Sequence, residues 1–182
     1  MKKRWFWLLD RKEWSPGYGI MATFGLMWSW LAVLVFILHR IAGSTIQVFR
    51  SDIALGVLPR LLQRAGLLGQ MTFWQAFVSA CIFAPLTEEF LFRWLPIEYL
   101  AKNRKTGEIV RTWPMWLISW FFFGWLHQYS LVSVAFQGVF GMMLARLWVM
   151  NNASKERSYV SCIIAHSLYN FSILMVSSGL LS

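Results

Sequence analysis

The sequence predicts an all-α fold: a polytopic transmembrane helix bundle of about five spans, with an interfacial amphipathic segment. Two observations carry this expectation. Hydrophobic residues fill 58% of the 182 positions and charged residues only 14%, against roughly 25% charged in a soluble domain. No Asp, Glu, Lys or Arg occurs in residues 15–38, 65–87, 112–145 or 158–182. Each run reaches the roughly 20 residues a helix needs to cross the hydrocarbon core, and the third is long enough for two passes.

In chain order, "MKKRWFWLLDRKEW" is basic, but its apolar run, WFWLL, is too short for the core of a signal peptide. It reads as an interfacial anchor with Trp5, Trp7 and Trp14 at headgroup depth. The first span is expected at about 18–38, followed by His39 as an interfacial residue. Residues 39–70 space Arg40, Arg50, Asp52, Arg60 and Arg64 among apolar side chains, as in one or two surface helices broken near Pro59. Further spans are expected at about 71–100, 113–128, 131–149 and 158–180. The turn "HQYS" is so short that the third and fourth spans must be antiparallel neighbours. Gly138, Gly141 and Ala145 mark a packing seam on the fourth, and Trp113 and Trp116 fit an aromatic belt. The chain reads as one membrane-embedded domain, 1–182. Its core covers about 71–180, and the anchor and interfacial region cover 1–70.

The net charge of +9 does not indicate nucleic acid, because the basic residues sit beside apolar runs. They instead favour a cytoplasmic N-terminus: residues 1–14, 102–111 and 146–157 carry most of them, and the four arginines of 39–70 count against it. The two cysteines, Cys81 and Cys162, fall inside expected spans, so no structural disulfide is expected.

Against this apolar background, the stretch "FAPLTEEFLFRWLP" (83–96) places Glu88, Glu89 and Arg93 inside a span. A charge at the bilayer centre costs on the order of 2.5–3.5 kcal/mol on insertion scales and marks a functional candidate. His127, His166 and the amide Asn170 join the set. Glu89 and Arg93 stand at i and i+4, with the glutamate N-terminal, the favoured order for an ion pair. Glu88 is rotated by about 100° onto another face, outside that pair. An isolated carboxylate in apolar surroundings is a strong proton acceptor, as a general base must be. His166 and Asn170, again i and i+4, share one face and have N–H groups suited to a developing oxyanion, each worth about 2.7–4 kcal/mol in known cases. Pro85, just before the glutamates, is expected to kink the helix, as happens where helices line a wet cavity. Depths of about 20 Å for Glu88 and His127 and about 12 Å for His166, counted from the inner loops, do not align.

These residues resemble a known family. "EEFLFR" (Glu88 to Arg93) fits the EExxxR motif of the CAAX protease and bacteriocin-processing family, also called Abi. These glutamate-dependent intramembrane endopeptidases include the type II CAAX prenyl endopeptidases. "FGWLH" (Phe123 to His127) fits its FxxxH motif and "HSLYN" (His166 to Asn170) its HxxxN motif. Each pattern is weak alone; the three in order, each on an expected membrane helix, are specific. The resemblance covers roughly residues 80–171. It implies that Glu88 and His127 activate water, that His166 and Asn170 stabilise the oxyanion, and that Glu89, Arg93 and Phe123 support them. It further implies a membrane protein or peptide substrate, met in maturation, bacteriocin processing, immunity or sorting-tail removal, and a place in the bacterial inner membrane. The chain is shorter than the larger members, so the part that selects substrate is expected to be reduced.

No cofactor or metal is expected. Two histidines and a carboxylate are a conceivable zinc set, but H-E-x-x-H is absent. Cys162 and His166 mimic a thiol dyad, yet both lie on one stiff helix, and G-x-S-x-G does not occur. The alternative in another class is a non-enzymatic transport or immunity protein using the buried charges as a relay.

Overall fold

The computed structural model describes residues 15–42, 72–103, 105–128, 131–150 and 154–177. The expected N-terminal anchor and residues 43–70 lie outside them, as does the side chain of His39. The described residues form five helices. Helix α1 is Pro16–Ala42. Helix α2 is Phe73–Ala101. Helix α3 runs through Met115–Phe122 into Phe123–Gln128. Helix α4 is Leu131–Met150 and α5 is Lys155–Ser177.

Two of these, Phe73–Ala101 and Lys155–Val176, are long and apolar enough to cross a membrane, and Val134–Met150 is a shorter apolar helix. The all-α class therefore holds, while two spans meet the test where five were expected. The distribution of polarity points the same way. Val160, Ile164, Leu168 and Phe171 make an exposed apolar stripe along α5, whereas Glu88, Glu89, Arg93, His127 and His166 are buried. A soluble protein has the opposite arrangement.

Helix α2 begins in a capping box. The Gln75 N–H donates to Thr72 Oγ1 at 3.3 Å, and the Thr72 N–H donates to Gln75 Oε1 at 2.9 Å, so each supplies a partner that the first turn lacks. Past Val78 the ladder widens to i→i+5 over Ser79–Phe83, returns to α over Ala84–Glu89 and widens again over Phe90–Ala101. Next to Pro85, where a kink was expected, Phe83 and Ala84 keep right-handed helical dihedrals and the preceding turn is wound as a π-helix. Where the wide ladder would next need an N–H at position 85, proline has none, and the Ala80 carbonyl accepts instead from Asn170 Nδ2 of α5 at 2.8 Å. Pro96 differs: in the i→i+5 ladder of Phe90–Ala101 its missing N–H belongs to the Leu91 carbonyl. The Phe92 carbonyl, four residues before Pro96, accepts from the buried Ser119 Oγ of α3 at 2.5 Å. A short turn with Gly107 at φ 68° then pairs Lys102 with Ile109 in an antiparallel bridge.

Helix α4 lies at the centre, touching all four others, and Leu144, Ala145, Leu147 and Trp148 are sealed from solvent. Its crossing with α3 depends on glycine. A Cβ on Gly124 would lie 2.6 Å from Val134 Cα, and one on Gly138 would lie 2.6 Å from the Trp120 carbonyl oxygen. The expected seam of Gly138, Gly141 and Ala145 is this contact. Helix α1 closes the bundle through Trp28, whose Nε1–H donates to Ser172 Oγ at 3.1 Å.

Candidate active site

Helices α2, α3 and α5 bring the sequence-nominated residues to one place. Glu89 Oε1 is 3.2 Å from Arg93 Nη1, both side chains fully buried, so the ion pair expected from i, i+4 spacing forms. The Arg93 guanidinium also lies 4.0 Å above the centre of the Phe123 ring, which offers its negative face to the cation.

The same Glu89 oxygen is 2.8 Å from His166 Nδ1. Paired with Arg93, this carboxylate accepts, so His166 carries a hydrogen on Nδ1 and turns Nε2 towards Glu88 Oε2, 3.9 Å away. The two adjacent glutamates, expected on different faces, thus address the two nitrogens of one imidazole. His127 is set in a parallel way. Its Nδ1 lies 2.6 Å from the Phe123 carbonyl oxygen, which can only accept, and its Nε2 faces Glu88 Oε2 at 3.6 Å. In Phe123–His127 the four-residue spacing is what places that carbonyl under the ring. Phe123 therefore does two things: its carbonyl orients His127 and its ring carries Arg93.

These contacts also answer the depth mismatch. Helix α5 starts at Lys155 rather than near 158, which puts His166 about 17 Å along it. The wider winding of Phe90–Ala101 advances less per residue than an α-helix, which brings Glu88 nearer the end of α2 at Ala101.

Asn170 donates one Nδ2 hydrogen to Ala80, leaving the other for the site. Cys162 is buried as a free thiol and donates to the Leu144 carbonyl at 3.3 Å, a helix-docking contact rather than half of a dyad. Among the described residues no group of three or more His, Cys, Asp or Glu side chains is arranged to hold a metal ion.

A small cavity is lined by His127, His166, Asn170, Phe123, Met27 and Gln137, among others. Glu88 is not in its wall, and its carboxylate meets the cavity through the two imidazoles. Gln137 went unnoticed in the sequence because it carries no charge. The signal available was a single carboxamide next to the glycine seam in an otherwise apolar run.

The profile of the family described as type II CAAX prenyl endopeptidase Rce1-like matches residues 70–172, just over half of the chain and every residue nominated for the site. No curated protein matches, and no solved structure matches. With three motif-bearing helices meeting inside an apolar shell and this match across them, the chain belongs to the Rce1-like family of type II CAAX prenyl endopeptidases, membrane-embedded peptide hydrolases.

Proposed function

We propose that the protein is a glutamate-dependent intramembrane endopeptidase in which Glu88 and His127 activate a water. One observation carries the reading: Glu88 Oε2 faces His127 Nε2 at 3.6 Å and His166 Nε2 at 3.9 Å, while both Nδ1 atoms are turned away and hydrogen-bonded. Separations of this size are beyond direct hydrogen bonding and suit a shared water.

In the proposed reaction the water oxygen attacks the scissile carbonyl carbon and its proton passes to Glu88, with His127 orienting it. The oxyanion accepts from the remaining Asn170 N–H and from His166 Nε2. His166 donates there as the imidazolium, keeping its Nδ1 hydrogen on Glu89. The proton held by Glu88 then goes to the leaving nitrogen as the C–N bond breaks. Glu89, Arg93 and Phe123 hold this geometry without touching substrate.

The substrate is a membrane protein or peptide presented from the bilayer. The family name suggests a prenylated C-terminal tail, and sorting-tail removal, peptide maturation and bacteriocin processing or immunity fit the same chemistry. Five crossings, with the N-terminus cytoplasmic in a bacterial inner membrane, complete the proposal. The test compares membrane peptides from cells expressing the wild type and Glu88→Gln or His127→Ala, by mass spectrometry. Products should be present only with the wild type; products retained by either variant would sink the mechanism.

A further inference from the structure

The catalytic geometry contains few oxyanion donors. His127 Nδ1 is committed to Phe123, His166 Nδ1 to Glu89, and one of the two Asn170 N–H groups to Ala80. What remains is a single Asn170 hydrogen and a His166 Nε2 that donates only when the ring is doubly protonated. A tetrahedral oxyanion in a water-poor site calls for preorganised donors, so the rest of the cavity wall bears on the reaction.

Gln137 of α4 is 6% exposed and lines the same cavity as His127, His166 and Asn170. Among the described residues nothing hydrogen-bonds its carboxamide, and the amide is not among the enclosed unpartnered groups, as expected of a side chain that opens onto the cavity. It cannot turn away by rotation of its helix. Gly138 is pressed onto the Trp120 carbonyl and Gly141 against Arg93 and Phe123, which fixes the register of α4. Tyr169 also lines the cavity, but its hydroxyl is buried and its ring is packed on Trp28 and Phe140.

We infer that Gln137 is a further catalytic residue. Its side-chain N–H donates to the oxygen of the scissile carbonyl and strengthens that bond as the oxyanion develops. The assignment rests on the endopeptidase reading above and adds to it a donor on a fourth helix, outside the three motifs.

The experiment uses the full chain in detergent and a synthetic peptide spanning the bond whose cleavage in cells depends on Glu88. Gln137→Met, which keeps length and removes the donor, should lower kcat by about 10²-fold with KM within about threefold. An aldehyde of the same peptide, whose hydrate resembles the tetrahedral adduct, should lose affinity in step with kcat. Gln137→Glu, which keeps shape and presents an acceptor, should lose at least as much and serves if the methionine variant does not fold. A kcat within threefold of wild type, or a loss confined to KM, overturns the role of Gln137 while an inactive Glu88→Gln leaves the endopeptidase reading standing. Cleavage independent of Glu88 rejects that reading, and the role of Gln137 with it.

Discussion

Replacing Arg93 with methionine should destabilise the protein more than removing Arg93 and the charge of Glu89 together. Both side chains are fully buried and 3.2 Å apart, so solvent does not screen the pair. Removing one partner of a buried ion pair costs about 3–5 kcal/mol, because the remaining charge is left without compensation. The guanidinium also gives up its place over Phe123 at 4.0 Å. For a chain of this size each kcal/mol lowers Tm by about 2–4 °C, so Arg93→Met should fall by about 6–20 °C. Tryptophan fluorescence on heating in detergent would follow it. In Glu89→Gln/Arg93→Met no buried charge is orphaned, and the amide oxygen at position 89 still accepts from His166 Nδ1. Most of the lost stability should return. If the double variant were no more stable than Arg93→Met, the pair would not be what holds α2 in place.

Asn170→Ala leaves the Ala80 carbonyl without its donor and should cost about 1–3 kcal/mol. Adding Pro85→Ala supplies a backbone N–H to the same carbonyl and should restore thermal stability, but not cleavage, since the cavity-facing Asn170 hydrogen stays lost. Gly141→Ala drives a Cβ into the Ser119 carbonyl, 2.9 Å from the Phe123 ring and 3.0 Å from Arg93 Nη2. Overpacking of this kind costs about 1–3 kcal/mol or more and should lower Tm and kcat together. Gly17→Ala, with nothing within 4 Å, should leave both unchanged. Cleavage should persist after chelator treatment, with no metal found by mass measurement; loss of activity restored by zinc would refute the metal-free mechanism.

Local pairings were legible in the sequence because helical spacing alone dictates them. Glu89 with Arg93 follows from a four-residue step, whereas Phe123 and His127 stood out at the same spacing only as a motif, without the carbonyl contact. The glycine seam was legible for a similar reason, since small residues repeating at helical spacing mark a close crossing. What joins separate helices was not legible. That Glu88 and Glu89 would face opposite nitrogens of His166 depends on how α2 and α5 cross. The π-helical winding of α2 alters both phase and rise, which an ideal period cannot represent. Asn170 was expected as an oxyanion donor, and its visible bond is to a carbonyl whose need was created 85 residues earlier by Pro85. Gln137 was passed over because a search for buried charge does not see a neutral amide. Among the described residues the crossing count stands at two helices by length and composition, and these are the two that carry the buried charges; Val134–Met150 is apolar but shorter.

The prolines explain why fold and site use the same helices. Pro85 and Pro96 flank Glu88, Glu89 and Arg93, and each removes a backbone donor where lipid cannot replace it. The partner for the Pro85 gap comes from α5, through Asn170 on Ala80, and α3 adds a second tie near Pro96, through Ser119 on Phe92. Those are the helices that also bring His166 and His127. The segment bearing the glutamates is therefore held at both ends by the helices that carry the histidines. A slip of α5 would leave the Ala80 carbonyl unsatisfied and move an imidazole away from Glu88 together, and a slip of α3 would break the Ser119 tie and move the other imidazole. Register is in this way enforced twice, once by backbone satisfaction and once by the Glu89–His166 contact. The two can be separated only where the proline can be removed. Stability and cleavage should thus come apart at Asn170, through Pro85→Ala, and stay linked at Arg93, where no backbone substitution can replace the lost cation.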